Sequence, residues 1–317
     1  MISAIKIAMH NNRLIDDSKK PPMRMFRDEY IKTCEKRGVD FKSKRAYWTP
    51  KKVVLERIAE RLNNKEVCYP KYFIDDIHMY ENGNLSWEHA FDTKCYMEMT
   101  ALVSLRYIAY KMDNGNEEMA KNILINEYTP NEAYEIYKRH LIWNICHNLR
   151  KDGSELERIA DFGCGTGEFT SMLGSCLRGT KIVGVDLSPM YLSIAEYKNS
   201  ESNVKYKHDN IEDVVLEEKQ DVIVICYVFH EMPVDSIRNT IRNAYKQLKK
   251  GGQLIVVDIN PYIFDKYQKH MVIYDISEPY LRGYMDVKIK ELLDEIGFEE
   301  ISEKHLHMKS YLSTGLK

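Results

Sequence analysis

Short apolar runs alternate with helical patterns along the C-terminal half of the chain. Five of these runs are predicted as buried β-strands: 158–161, 181–186, 204–209, 222–226 and 252–260. The Lys-Lys-Gly-Gly run 249–252 is predicted to end a helix, because cations and glycine are common at helix C-termini. Strands that alternate with helices predict a parallel, doubly wound α/β sheet. Ligands of such sheets bind at the carboxyl ends of the strands.

The N-terminal half has a helical pattern instead. Thr49 is predicted as the N-cap of a first helix, with Pro50 at its first position. Ser86 is predicted to cap a second helix, and Thr129 and Glu132 form a capping box that opens a third. The apolar positions expected on the buried faces are Val54, Ile58 and Leu62 in the first helix and Ala133, Ile136 and Ile145 in the third.

Composition narrows the class of protein. The 317 residues allow two domains, and a formal net charge of −2 gives no overall field that favours nucleic acid. No apolar run is long enough to span a membrane, and the N-terminal stretch lacks the pattern of a secretory signal. Seven cysteines without a C-x-x-C pair argue against a disulfide framework or a metal site. We therefore expect a cytoplasmic protein that holds no metal.

The junction between the first predicted strand and the next helix is RIADFGCGTGEFT (158–170). Three glycines at alternate positions, Gly163, Gly165 and Gly167, let the backbone turn sharply and approach a ligand. The third glycine comes one residue earlier than in a dinucleotide-binding loop. With Asp161 before the first glycine, the loop resembles motif I of class I S-adenosylmethionine (SAM) methyltransferases. A tight turn without a ligand is the alternative.

The resemblance implies where SAM and its product S-adenosylhomocysteine bind. Asp186 ends the second strand, and a carboxylate about 20 residues beyond such a loop can accept hydrogen bonds from both ribose hydroxyls. The adenine is expected near the end of the third strand. The residues expected to contact the cofactor are Asp161, Gly163, Cys164, Gly165, Gly167, Asp186, Leu187, Asp209, Asn210, Ile211, Cys226 and Tyr227.

The loop after the fourth strand reads Phe229-His230-Glu231. Methyl transfer to an alcohol, phenol or amine needs a nearby nucleophile and a group that removes its proton. Histidine, with an unperturbed pKa of about 6.5, suits this role, and Glu231 can raise its pKa or orient its ring. We predict His230 and Glu231 as catalytic. Plant phenolic O-methyltransferases carry a histidine here, followed by Asp or Asn and then Trp, so the match is partial and a packed histidine is the alternative.

An aromatic segment, CYPKYFIDDIHMYENGNLSW (68–87), lies between the first two predicted helices. It is predicted as ordinary core, as a lid over the substrate, or as both for different residues. Its pattern, and that of SEPYLRGYMDVKIKELLDEIGF (277–298), resembles a group of plant, algal and bacterial methyltransferases. The candidate substrate contacts are Tyr72, His78, Tyr80, Trp87, Phe229, Glu278 and Tyr280.

Two other functions remain open. Residues 18–52 hold twelve Lys or Arg and four acidic residues, a net charge of +8. This basic arm is therefore a candidate RNA-binding segment, although a solvated helix face is the favoured interpretation. RNA or protein methylation docked by the arm is thus one rival. A SAM-binding regulatory protein without turnover is another. The loop after strand four lacks the Asp/Asn-Pro-Pro-aromatic signature of adenine methyltransferases and a cysteine pair suited to pyrimidines.

The sequence therefore predicts an α/β Rossmann-like class I methyltransferase core with a seven-stranded, mostly parallel sheet. Runs 298–306 and 308–317 are expected to form its antiparallel end. A helical N-terminal cap is expected over residues 1–150 and the SAM-binding domain over 151–317. The predicted function is methylation of a small molecule, with oxygen favoured over nitrogen or carbon. Nucleic acid and membrane are not expected as partners.

Overall fold

The computed structural model describes residues 23–75, 77–112, 128–149, 155–261, 277–307 and 310–317. The predicted boundary at residue 150 and the first five residues of the basic arm lie outside these ranges. Within them, seven strands form one sheet with the order β3-β2-β1-β4-β5-β7-β6. The strands are β1 Arg158–Phe162, β2 Lys181–Asp186, β3 Val204–His208, β4 Gln220–Cys226, β5 Leu248–Ile259, β6 Glu299–His307 and β7 Ser310–Leu316.

Strands β1 to β5 pair in parallel, and β7 pairs antiparallel with both β5 and β6. The predicted fold class, with its antiparallel end, is confirmed. The order changes direction between β1 and β4, so their carboxyl ends flank the crevice where ligands of open α/β sheets bind. The Lys249–Gly252 run differs from its prediction, because these residues belong to the beginning of strand β5 and the preceding helix ends before them, at Gln247.

Helices cover both faces of the sheet. Those that follow β1, β2 and β4 are α7 Glu168–Cys176, α8 Pro189–Lys198 and α9 Val234–Gln247. Short helices α10 Leu281–Met285 and α11 Ile289–Ile296 precede β6. The strands are apolar on both faces, as in Ile223 and Val224 of β4, because both faces pack against helices.

The N-terminal part is helical, as predicted. Its helices are α1 Met23–Glu35, α2 Phe41–Trp48, α3 Lys52–Leu62, α4 Lys71–Ile74, α5 Trp87–Met112 and α6 Pro130–His147. Helix α6 packs directly on the sheet, with Tyr137 and Leu141 in the same hydrophobic cluster as Val224. The hydrophobic core therefore continues from the helical part into the sheet.

The predicted start of the first helix at Thr49 is wrong. The helix that carries Val54 and Ile58 is α3, whose N-cap is Lys51. The preceding helix, α2, is capped by Asp40, whose carboxylate accepts the amide hydrogen of Ser43 at 2.8 Å. Thr49 lies in a 3-10 turn that joins α2 to α3, and its hydroxyl donates to the Arg45 carbonyl. The buried stripe of α3 shifts by one position, so Leu55 is buried and Val54 is exposed.

The other two caps are present as predicted. The Thr129 side chain accepts from the Glu132 amide, and the Glu132 carboxylate accepts from the Thr129 amide at 2.8 Å. The Ser86 hydroxyl accepts from the His89 amide at 3.4 Å. On α6, Ala133 is buried as expected, whereas Ile136 is exposed.

Candidate active site

The glycine loop follows β1 and is held against β2. The amides of Gly163 and Cys164 donate to the Val185 carbonyl at 2.8 and 3.1 Å. All three loop glycines have positive φ angles, 76° at Gly163, 53° at Gly165 and 76° at Gly167, which L side chains rarely adopt. The sequence of this loop therefore fixes a backbone path that other residues would strain.

The three glycines serve different purposes. A Cβ at Gly163 would lie 2.4 Å from a methyl group of Val228, and one at Gly167 would lie 2.4 Å from the Tyr206 hydroxyl. A Cβ at Gly165 would have no heavy atom of the described residues within 4 Å. Gly163 and Gly167 thus let protein segments pack closely, whereas Gly165 borders open space where a ligand can approach.

Two buried carboxylates flank this loop. Asp161 accepts a hydrogen bond from the Thr170 hydroxyl at 2.6 Å. Asp186 accepts from the amides of Gly165 at 2.9 Å and Ser188 at 2.8 Å. Burial raises the pKa of each carboxyl to about 6, although these hydrogen bonds act in the opposite direction. Asp186 therefore stands beside the open glycine with an oxygen that can accept further donors.

The end of β3 adjoins Asp186. The Asp209 amide donates to the Asp186 carbonyl at 3.1 Å, and the Asp209 carboxylate accepts from the Asn210 amide at 2.9 Å. Leu187 and Ile211 are buried beside this turn. The carboxyl ends of β1, β2 and β3 therefore bring together the residues predicted for the ribose and the adenine.

The end of β4 has a strained residue. Tyr227 has a φ of 57°, and its hydroxyl is hydrogen bonded to Tyr137 of α6 and Ser310 of β7. Burial raises the pKa of the Cys226 thiol, and that of Cys164 in the glycine loop, well above its usual range. Both cysteines are therefore uncharged packing residues rather than nucleophiles.

His230 is held by Asp258 at the end of β5. Its Nδ1 donates to Asp258 Oδ1 at 2.8 Å, while the other oxygen of Asp258 accepts from the amides of Phe229 at 2.8 Å and Val228 at 3.2 Å. Burial lowers the pKa of His230, but the charge and hydrogen bond of Asp258, together with the charges of Glu231 and Glu278, outweigh it and raise the pKa to about 9. His230 is therefore an imidazolium at neutral pH, and its pKa lies well above the unperturbed value of about 6.5.

Glu231 faces His78 of the N-terminal part. Glu231 Oε1 accepts from His78 Nε2 at 3.1 Å, and Oε2 accepts from Asn84 Nδ2 at 3.0 Å. His78 Nδ1 donates to Glu278 Oε1 at 2.7 Å. Burial acts to lower the pKa of His78, but the two carboxylates raise it well above its ordinary value. His78, Glu231, Glu278 and His230, which the sequence assigned to separate roles, thus lie in one cluster.

The match with a known family falls on the part of the sheet that carries the glycine loop, Asp186 and the His230 loop. Residues 159–252 match the family model described as methyltransferase domain. These residues form a methyltransferase domain. Together with the strand order and the glycine loop, the match places the domain in class I of the SAM-dependent methyltransferases.

Several known proteins are similar to part of this chain. A malonyl-[acyl-carrier protein] O-methyltransferase of Priestia megaterium is 28% identical over 44% of this chain and 51% of its own. A ubiquinone biosynthesis O-methyltransferase of Pseudomonas savastanoi is 31% identical over 33% of this chain and 45% of its own. The chain thus spans about half the length of these relatives. The crystal structure of N-methyltransferase NodS from Bradyrhizobium japonicum is 16% identical, with a TM-score of 0.44, over 57% of this chain and 97% of that one.

Two further predicted substrate contacts, Tyr80 and Phe229, are buried within the protein. Tyr80 is buried, and its hydroxyl donates to Asp92 at 2.6 Å. Phe229 is buried in the core of the methyltransferase domain. These positions favour packing over contact with a substrate.

Tyr72 and Trp87, near the two ends of the aromatic segment 68–87, also contact other parts of the protein. Trp87 packs on Phe91 of α5. The Tyr72 hydroxyl donates to Glu212 at 2.8 Å, and its ring meets the Tyr280 ring edge-on at 5.9 Å. Tyr72 borders a cleft of about 480 Å³ between residues 68–72 and α9. The lid that the sequence suggests therefore includes residues that support the fold.

Sequence reasoning missed Asp258 and Asn84. Asp258 ends β5 as Asp161 and Asp186 end β1 and β2, so the same signal was present in the sequence. Asn84 lies in a 3-10 turn, and its carbonyl accepts from the Ser188 hydroxyl at 2.6 Å. That contact spans 104 residues and has no local signature.

The described part of the basic arm is largely paired within the protein. Arg45 pairs with Asp92 at 2.5 Å, Lys44 with Glu98 at 3.3 Å, and Arg27 with Glu88 at 3.0 Å. These cations have carboxylate partners on α5, which leaves less free charge for phosphate groups. In the ranges that the structure describes, no helix has the length and apolar character needed to cross a membrane.

Proposed function

We propose that the protein transfers the methyl group of SAM to a small molecule, with oxygen as the favoured acceptor atom. The observation that carries this proposal is the pairing of the Gly165 amide with Asp186 beside open space, in a class I methyltransferase domain. Bound SAM would supply an electrophilic methyl group. The remaining chemistry belongs to side chains of this chain.

Asp186 is proposed to hold the ribose hydroxyls. One oxygen accepts from Gly165 and the other from Ser188, so the carboxylate is fixed and each oxygen can accept another donor. Asp209, Asn210, Leu187 and Ile211 are proposed to surround the adenine, and Asp161 to support the loop. Gly165 is the glycine whose missing side chain makes room for the ligand.

His230 is proposed to act as the base. In its neutral form, the imidazole ring removes the proton of the methyl acceptor. Asp258 fixes the ring through Nδ1, which leaves Nε2 to face the acceptor. A pKa of about 9 makes the neutral form scarce at pH 7 but strongly basic. Glu231 Oε1 lies 3.9 Å from His230 Nε2, too far for a hydrogen bond, so Glu231 acts on His230 through its charge.

The preference for oxygen as the acceptor atom rests on His230, the proposed base that removes the proton of the acceptor, and on the names of the relatives. The relatives from Priestia megaterium and Pseudomonas savastanoi are O-methyltransferases by name. The likeness to the plant, algal and bacterial group stays a prediction, as do the cytoplasmic location and the boundary near residue 150.

The test is to follow a labelled methyl group. The protein is incubated with methyl-tritiated SAM and with ultrafiltered small molecules, total RNA or soluble protein as separate acceptor pools. We expect label in the small-molecule pool, and its loss with Asp186→Ala. Label in RNA or protein would favour the rival docked by the basic arm, and SAM binding without label in any pool would favour a regulatory protein.

A further inference from the structure

Three segments that are far apart in sequence meet at His78. Its Nδ1 lies 2.7 Å from Glu278 Oε1 and its Nε2 lies 3.1 Å from Glu231 Oε1. Because a carboxylate only accepts, both ring nitrogens must carry hydrogens, so His78 is an imidazolium. The backbone amide of His78 also donates to the Ser277 carbonyl at 2.7 Å. This bond holds the aromatic segment 68–87 against the residues that begin at Ser277.

The charges of this cluster do not cancel. Glu231, Glu278 and Asp258 contribute three negative charges, and His78 and His230 contribute two positive ones. The His89 ring lies 4.6 Å from the His78 ring, but burial and the neighbouring His78 charge lower its pKa well below its usual value. His89 is therefore neutral, and the cluster keeps an excess of one negative charge.

One carboxylate oxygen of the cluster makes no hydrogen bond within the part of the chain that the structure describes. Glu278 Oε2 is buried and has no hydrogen-bond partner among the described residues, although Oε1 is bound to His78. A buried carboxylate oxygen left unpaired is costly, so such an atom points to a group that completes it. The side chains of His230, His78, Glu278 and Glu231 retain 11 to 25% exposure, so the cluster borders the surface.

We propose that Glu278, positioned by His78, is a specificity-determining residue whose Oε2 accepts a hydrogen bond from an O–H or N–H group of the methyl acceptor. The proposal rests on the proposed function and narrows its substrate class. The acceptor is neutral or cationic at this point. An anionic group is excluded because it would offer Oε2 no hydrogen and would add a second negative charge to a poorly solvated cluster.

Three small three-carbon probes test this charge preference: propylamine, 1-propanol and propionate. Their dissociation constants are measured by saturation-transfer NMR on the protein loaded with S-adenosylhomocysteine, whose own binding is measured by calorimetry on the same samples. We expect propylamine and 1-propanol to bind, and propionate to bind at least about tenfold more weakly than propylamine, as for the loss of one charge-assisted hydrogen bond. Glu278→Gln should remove most of this preference.

The selectivity ratio separates a specificity role from a structural one. The matched control is Glu295→Gln. Glu295 is an exposed carboxylate on α11 that pairs with Arg238, so its substitution should leave the preference for propylamine over propionate unchanged. A general loosening of the fold would weaken all probes together, whereas the proposal requires the ratio between propylamine and propionate to change. His78→Gln should reduce the ratio as well, because it releases Glu278.

Equal binding of propionate and propylamine, an unchanged ratio in Glu278→Gln, or no binding by any probe would each overturn the proposal. Failure of S-adenosylhomocysteine to bind would instead count against the proposed function. The probes can still be measured on the free protein in that case, so the two failures are distinguishable.

Discussion

His230 Nδ1 lies 2.8 Å from Asp258 Oδ1, which joins the turn after β4 to the end of β5. Asp258 also accepts the amide hydrogens of Phe229 and, within its own strand end, Ile259. One buried carboxylate thus fixes both the backbone of the loop and the ring that the loop carries. The protonation of His230 therefore depends on a residue 28 positions away in sequence.

The first prediction concerns the pKa of His230. An NMR titration of its ring should give a value near 9, because the Asp258 charge favours the imidazolium. In Asp258→Asn the charge is lost while burial remains, so the pKa should fall to or below the ordinary value of about 6.5. A wild-type value near 6.5 that the substitution leaves unchanged would contradict this account of the pair.

The same pair makes stability depend on pH. The folded-state pKa of His230 is raised above its unfolded value, so its contribution is fully present below about pH 6.5 and is lost as the pH rises through 9. The full contribution is about 3 kcal/mol on the scale of 1.36 kcal/mol per pKa unit. Urea unfolding of the wild type and His230→Gln at pH 6 and pH 9.5 measures it. The difference between the two proteins should shrink at the higher pH, and a constant difference would argue against the coupling.

The second prediction concerns proton removal. With an acceptor found by the labelling experiment, His230→Ala should lower kcat by about 10² to 10⁴ while S-adenosylhomocysteine affinity stays nearly unchanged. For the wild type, kcat/KM should rise with pH towards about 9, since only the neutral ring is a base. Full activity of His230→Ala towards an alcohol or phenol would exclude the base role. Loss of thermal stability without a specific loss of kcat would indicate a packed histidine.

The third prediction separates the loop glycines. Gly163→Ala places a Cβ 2.4 Å from Val228, so it should lower the melting temperature strongly, and Val228→Ala should restore part of the loss. Gly165→Ala meets no neighbour but has an unfavourable φ of 53°, so it should cost about 1–2 kcal/mol of stability and weaken cofactor binding. Thermal unfolding and calorimetry on the same samples distinguish the two effects. If Gly163→Ala and Gly165→Ala lowered cofactor affinity equally and had equal stability, the proposed difference between the two glycines would be refuted.

The fold and the geometry of the glycine loop could be predicted from sequence because their signals are local, whereas contact of these residues with the cofactor stays a prediction. Asp161 and Asp186 each follow an apolar strand, and Gly163 to Gly167 lie within one turn. The His78 cluster could not, since His78 and Glu231 are 153 positions apart and meet only through the packing of the N-terminal segment. His78 also has a φ of 58°, a conformation that no local pattern around it predicts.

Helix faces show a similar limit. The spacing of Val54 and Ile58 fits a helical stripe, but Leu55 and Ala59 on the adjacent positions are the buried ones. Two stripes one residue apart differ by only 100° around a helix, and tertiary contacts with α8 decide between them. The raised pKa of His230 has no local signal in the sequence for a related reason, because its partner Asp258 comes from another strand.

The fourth prediction concerns the pH dependence of cofactor binding. The Asp186 pKa is raised to about 6 by burial, whereas ribose hydroxyls would donate to its ionised form. Affinity for S-adenosylhomocysteine should therefore weaken as the pH falls through 6, with proton release on binding. Asp186→Asn should flatten that dependence, apart from any part due to Asp161, which titrates in the same range. An affinity independent of pH between 5 and 7.5 would count against Asp186 as the ribose ligand.

Calorimetric titration of S-adenosylhomocysteine into the wild type and Asp186→Ala at pH 7.5 tests the central claim most directly. Asp186 joins the Gly165 amide to the proposed ribose site, so its loss removes a charge-assisted hydrogen bond to the ligand. The wild type should bind one equivalent, and Asp186→Ala should bind more weakly by about 1–3 kcal/mol while remaining folded. No binding by the wild type, or equal affinity in the folded variant, would contradict the assignment of this site to the cofactor.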